Sequence, residues 1–283
     1  MLLILGVIVV LASVLGGYVL SHGELAALWQ PFELIIICGA AFGAFLISNP
    51  FKVIKQILHT IPKMIMGSPF NRVVYMDLLS LMYDLFDKAR RSGVMAIEAD
   101  VDDPLNSEIF NRYPAIVRMD KLRDFITDYL RIVSTGNMAP HELEGLMDME
   151  LETRMQELEK PADAVNRVAD ALPGFGIVAA VLGIVITMKS LGGPPDELGV
   201  HVAAALVGTF LGILAAYGFV GPASHAMHNL AAQEIKAYEC VKVSILATMT
   251  GLAPQLAIEF GRKALNSDVR PSFQELNDYV RSK

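Results

Sequence analysis

Four stretches of this sequence contain no Asp, Glu, Lys or Arg in their interiors, and no other feature restricts the fold as strongly. They run from about Leu2 to Leu20, Leu34 to Ser48, Ala171 to Met188 and His201 to Val220. A hydrocarbon layer about 30 Å thick is crossed by roughly 20 apolar residues in a helix. A helix also satisfies its own backbone where no water is available. The second block, LIIICGAAFGAFLIS, is short and needs flanking residues to complete a crossing. With 53% hydrophobic residues and a mean hydropathy of +0.45, the chain falls among membrane proteins. The first block has no positive residues before it and no small-x-small site at its end. It therefore reads as a retained membrane helix and not as a secretory signal.

Basic residues orient the four spans. Of the 23 Lys and Arg, 22 lie within 49–170 or after 220, and Lys52, Lys55 and Lys63 follow the second span directly. Positive flanks stay in the cytoplasm, so both long segments and both termini are expected there, with loops 21–33 and 189–200 outside. Residues 49–170 have the composition of a soluble helical domain. In YMDLLSLMYDLFDKARR, Leu78, Leu79, Met82, Leu85 and Phe86 recur at helical spacing, with Gly93 as the stop. A second helix is expected over 120–133, ended by Gly136, and an acidic one after Pro140, bounded by Pro161. After a break at Gly221-Pro222 another helix is expected over 223–249, as a possible continuation of the fourth span. The expected class is all-α: four transmembrane helices and a helical cytoplasmic domain. Its divisions are 1–48 (spans one and two), 49–170, 171–222 (spans three and four) and 223–283.

Several functions are disfavoured. A net charge of -7 does not suit a nucleic-acid partner, whose phosphates need a basic surface. Cys38 falls in an apolar block and Cys240 in a charged tail, so no disulfide or thiolate metal site is expected. His225 and His228 stand at i, i+3 without a nearby third ligand. Walker, GxGxxG, nucleophile-elbow and HExxH patterns are absent from the sequence, which resembles no soluble enzyme.

Ion conduits usually hold a carboxylate within the bilayer. None occurs inside these four blocks, so any ion-binding acid must come from another chain. Pro173 and Pro222 mark the cytoplasmic ends of spans three and four, either as ordinary helix boundaries or as bends that free carbonyls. Thr209, deep in span four, either bonds its own backbone or faces a pore, and Tyr217 is similarly placed. Arg90 and Glu98 flank a turn at Ser92-Gly93 and read as solvated surface charges. Ala204, Gly208, Gly212 and Ala216 form a small-residue stripe. Gly39 with Gly43, and Gly176, Ala180 with Gly183, repeat the pattern. Such stripes pack helices closely, within one chain or between copies.

Six further stretches carry a resemblance over essentially the whole chain. They are SEIFNRYP at 107–114, DFITDYLR at 124–131, LPGFGIVAAVLGIV at 172–185, VGTFLGILAAYGFVGP at 207–222, EFGRKAL at 259–265 and RPSFQEL at 270–276. With YMDLLSLMYDLFDKAR at 75–90, they resemble the A subunits of flagellar motor stators, the MotA/PomA family. The resemblance implies a pentamer around a MotB dimer, which supplies the proton-accepting Asp. The ring then turns and pushes on the rotor protein FliG. No cofactor is implied, and H+ is the transported ion.

Arg90 and Glu98 match the family's rotor-facing charges, Pro173 and Pro222 its two prolines beside the ion path, and Thr209 a pore-facing threonine. Ala180 stands where sodium-driven relatives tend to have Thr, which implies proton coupling. Gly174 and Leu206 depart from common family residues, and Arg91 adds a second cation beside Arg90. The nearest alternative is a proton-driven energiser of the ExbB or TolQ type, which usually has three spans.

Overall fold

A computed structural model describes residues 2–136, 138–189 and 195–283. The expected outer loop 189–200 lies partly outside these residues. The elements are helical throughout the described residues: α1 Leu2–Leu20, α2 Pro31–Ser48, α3 Phe51–Met66, α4 Arg72–Ser92, α5 Glu98–Asp102, α6 Glu108–Asn111, α7 Pro114–Val117 and α8 Asp120–Thr135. They continue with α9 Pro140–Lys189, α10 Pro195–Leu214, a π-helical segment Ala215–Val220, α11 Gly221–Met249, α12 Pro254–Ala264 and α13 Phe273–Ser282. Four helical stretches are long and apolar enough to cross a membrane, as the charge-free blocks require. The chain divides into two compact units, residues 1–67 with 157–230 and residues 68–156 with 231–283.

Pro161 does not end a helix, and α9 runs unbroken through both Pro161 and Pro173. An interior proline costs about 3 kcal/mol, so packing has to outweigh it. Around Pro161 it does: Ala162 and Ala164 are fully buried, and the buried Ser224 hydroxyl donates to the Ala162 carbonyl at 2.8 Å. Gly221-Pro222 does not break the chain's helical course either. The π segment precedes it, and the Gly221 N–H reaches the carbonyl of Ala216, five residues back. This wider turn absorbs a residue that cannot donate. The expected helix over 223–249 is thus the direct continuation of the fourth span.

In the unit of residues 68–156 and 231–283, α4 supplies the centre of the core. Leu78, Leu79, Met82, Leu85 and Phe86 are all buried, as their spacing predicts. Asn71 caps the helix by accepting from the Val74 N–H at 3.0 Å, and Gly93 leaves it at φ +88, a region that favours glycine. Gly136 likewise ends α8 in the left-handed conformation. Phe125 stands edge-on to Tyr238 at 5.1 Å between centroids, and the Arg154 guanidinium lies 4.3 Å over the Tyr238 ring. Burial pushes the Tyr238 hydroxyl up to about 12, against the opposing effect of Arg154.

Cys240 is fully buried in this core, and burial pushes its thiol well above the ordinary range. A thiol reacts as its thiolate. In a Cys38→Ser chain, a maleimide is therefore expected to leave the folded protein unlabelled and to label it fully in denaturant. Mass spectrometry reads the result, and fast labelling of the folded chain would contradict this packing.

In the other unit Ile37 and Ala41 of α2 are buried with Leu172 and Ala179 of α9 and Ala216 of the π segment. By contrast α1 has no buried residue, consistent with a helix that faces lipid.

Candidate functional site

The small-residue stripes bring α9 and α10 into backbone contact within one chain. A Cβ at Gly212 would stand 2.7 Å from the Leu172 carbonyl oxygen and 2.9 Å from Gly176 Cα. One at Gly176 would stand 3.0 Å from the Gly208 carbonyl oxygen, and one at Gly183 would stand 3.1 Å from Ala205 Cβ. The glycines of α2 behave differently, since added methyls at Gly39 or Gly43 would meet nothing within 4 Å.

Five of the seven candidate residues lie along this helix pair and its continuation. Pro173 is half-buried in the interior of α9 and cannot donate to the carbonyl of Ala169, one turn earlier. Ala169 is itself buried, and its Cβ is 3.9 Å from where a Cβ on Gly221 would stand. The stretch relaxed by Pro173 thus abuts the residue preceding Pro222. Further along, the backbone nitrogen of Ala180 is 3.7 Å from the Cβ position of Gly208, and Thr209 Cα is 3.4 Å from that of Gly176. The Thr209 hydroxyl has no hydrogen-bond partner among the described residues. It does not make the bond to its own helix that is common for Thr in a helix interior. Thr187, on the neighbouring span, does make it, donating to the Gly183 carbonyl at 2.8 Å.

Tyr217 is set apart. It belongs to the π segment, whose geometry recurs at functional sites, yet its side chain is 72% exposed. Gly218 of the same segment lies against α1, with Val10 Cγ1 3.2 Å from its Cβ position.

Arg90 and Glu98 lie in the other unit, both exposed, at the end of α4 and the start of α5. Neither side chain makes an ion pair or hydrogen bond with a described residue. Arg91 does: its Nε is 2.9 Å from Asp87 Oδ2, one turn back. The two adjacent arginines are therefore unequal, and Arg90 is the one left uncommitted.

Two features of the structure do not follow from the hydropathy and spacing of the sequence. Helix α2 begins at Pro31, three residues ahead of the apolar block, which brings Glu33 into its first turn. A proline at the first helical position is the signal that marks this start. Glu33 Oε2 is buried without a partner, and its Cγ is 3.4 Å from the Cβ position of Gly208. An acid thus stands against the fourth span after all. Second, His228 places Nε2 3.2 Å from Asp163 Oδ1 and Nδ1 4.0 Å from Glu159 Oε1, tying α11 to α9. Spacing along one helix finds His225 and His228 but not carboxylates from another.

Known proteins match this chain from end to end. The family model described as motility protein A N-terminal matches residues 4–93, and that of the MotA/TolQ/ExbB proton channel family matches residues 119–240. The motility protein A of Salmonella typhimurium is 48% identical over 282 residues, covering 100% of this chain and 96% of the relative. That of Escherichia coli is 47% identical over 282 residues, again covering 100% of this chain and 96% of the relative. The fold matches the structure of C. jejuni MotAB with a TM-score of 0.76 at 19% identity, covering 95% of this chain and 98% of that one. The chain belongs to the motility protein A family, within the wider group of MotA/TolQ/ExbB proton channel proteins.

Proposed function

We propose that the chain is the A subunit of a flagellar motor stator, a torque generator and not an enzyme. With a MotB dimer it forms a proton-conducting complex in the inner membrane, both termini in the cytoplasm, and its ring of copies, a pentamer, pushes on FliG. The observation that carries this reading is the end-to-end likeness to motility protein A, at 48% identity. The geometry of α9 and α10 supports it. The pair is locked by glycine contacts on one side and leaves Ile177, Val181, Val202 and Leu206 exposed on others, as a lone subunit of a ring would. Four membrane-length helices also suit the stator better than an ExbB- or TolQ-type energiser with three.

In this reading the B subunit supplies the carboxylate that takes the proton, and Pro173, Pro222, Thr209, Ala180 and Tyr217 shape the path around it. Ala180 offers a methyl group where a hydroxyl would replace a water on Na+, so the ion is H+. Swimming speed in cells with only this stator is expected to follow external pH and to ignore external Na+. Speed that rises with Na+ would overturn proton coupling. Normal swimming after deletion of the chain would overturn the stator reading itself.

Arg90 and Glu98 are the rotor contacts. Reversing Arg90 to Glu is expected to lower stall torque several-fold, and a reversed charge on FliG to restore it. Arg91→Glu, which mainly replaces an i,i+4 pair worth about 0.3–0.5 kcal/mol, is expected to act weakly. Bead assays that found the two arginines equivalent would remove Arg90 from this role.

A further inference from the structure

Helix α3 presents three faces, and the protein covers one of them. Val53 is buried and Ile57 and Met64 are half-buried, so these residues form the inward face. Phe51, Leu58 and Ile61, at 79%, 64% and 44% exposure, make an apolar strip left open by the described residues. Lys52, Lys55, His59 and Lys63 are all exposed, and helical geometry gathers them into an arc of about 80° beside that strip. Lys52 reaches Glu157 at 3.2 Å, whereas Lys55 and Lys63 have no ion-pair partner among the described residues.

The position of the helix decides what covers the strip. α3 begins after Asn49 and Pro50, both extended, so its first turn stands within about 7 Å of the end of a membrane-length helix. At that depth an apolar strip next to an ammonium face matches the two layers of a lipid monolayer: acyl chain and headgroup. Ile57 on the inward face also borders an open apolar cleft of about 350 Å³, lined by Phe42, Phe45 and Leu172, which an acyl chain would fill. The basic charge selects the lipid, because a zwitterionic surface offers ammonium groups no net attraction.

We infer that α3 docks on anionic phospholipid, with Phe51, Leu58 and Ile61 in the acyl boundary and Lys52, Lys55 and Lys63 on the lipid phosphates. The inference needs only that α2 spans the membrane, and it stands whether or not the stator reading does.

The full-length chain, in its native oligomer, is reconstituted into phosphatidylcholine bilayers containing phosphatidylglycerol. A nitroxide is placed at Leu58→Cys, or at Phe51→Cys, in a Cys38→Ser background. The label is expected to collide with oxygen and to be shielded from a water-soluble nickel chelate. Collision with the chelate would place the strip in water. Shielding from both reagents would mean that a second copy or another protein covers it. Either result overturns the proposal. A second arm needs no label on the protein: the preference for spin-labelled phosphatidylglycerol over phosphatidylcholine is compared in the parent and in the Lys52→Gln/Lys55→Gln/Lys63→Gln variant. The preference is expected to fall by roughly fivefold or more, the scale of one lysine near an anionic surface. An unchanged preference rejects the lysine contacts.

Discussion

Pro173→Ala is expected to reduce motor speed under load by roughly fivefold or more, corresponding to about 1 kcal/mol on a rate-limiting step, while membrane insertion and assembly persist. Alanine gives residue 173 an N–H, which can bond the Ala169 carbonyl and close the gap in the α9 ladder. Removing an interior proline favours the straight helix by up to about 3 kcal/mol. Any step that bends or shears α9 at this point then becomes harder by some fraction of that amount. The neighbourhood makes such a step consequential, because Ala169 abuts the Gly221 backbone beside Pro222. A change in the helix at Pro173 is therefore felt where the π segment returns to α-helix. The measurement is tethered-bead speed against load, with native gels to show intact complexes. Unchanged speed at all loads would leave Pro173 as a proline that packing merely tolerates. Loss of assembly would make it a folding residue.

The features legible in the sequence follow from forces that act uniformly along a segment. Removing charge over eighteen or so residues leaves a membrane as the one comfortable solvent, and all four such blocks are helices in the structure. Likewise Leu78, Leu79, Met82, Leu85 and Phe86 repeat at helical period, and that face is buried. The other features depend on which partners meet in the fold, and neither hydropathy nor helical period carries that. Pro161 reads as a boundary because propensity is local, yet the Ser224 hydroxyl and the buried alanines hold the helix through it. The π segment has no composition of its own, and its wide turn is visible only as the Gly221 bond to Ala216. Hydropathy places Glu33 outside the membrane blocks, because it excludes a carboxylate. In the structure the helix start at Pro31 carries it in, against Gly208. The inequality of Arg90 and Arg91 needs the position of Asp87, one turn earlier and on the side of Arg91.

The small-residue stripes are the case where a sequence pattern left two outcomes open, and Gly212→Ala separates them. A methyl group there meets the Leu172 carbonyl oxygen at 2.7 Å and Gly176 Cα at 2.9 Å, both backbone atoms that cannot swing away. Helices α9 and α10 must then part, and the contacts at Gly208 and Gly176 that place Ala180 and Thr209 loosen with them. Overpacking of this kind costs on the order of 1–3 kcal/mol. The expected result is a complex with a markedly lower melting temperature in detergent and a corresponding loss of motility. Gly212→Val should be worse in both respects. Gly43→Ala is the internal control, since its methyl meets nothing within 4 Å in the chain, and intrinsic helix propensity favours alanine by about 1 kcal/mol. If Gly43→Ala destabilises the complex but not the isolated chain, the α2 glycines pack against a second copy. If Gly212→Ala is as stable and motile as the parent, the backbone contact between α9 and α10 is not what holds the third and fourth spans together.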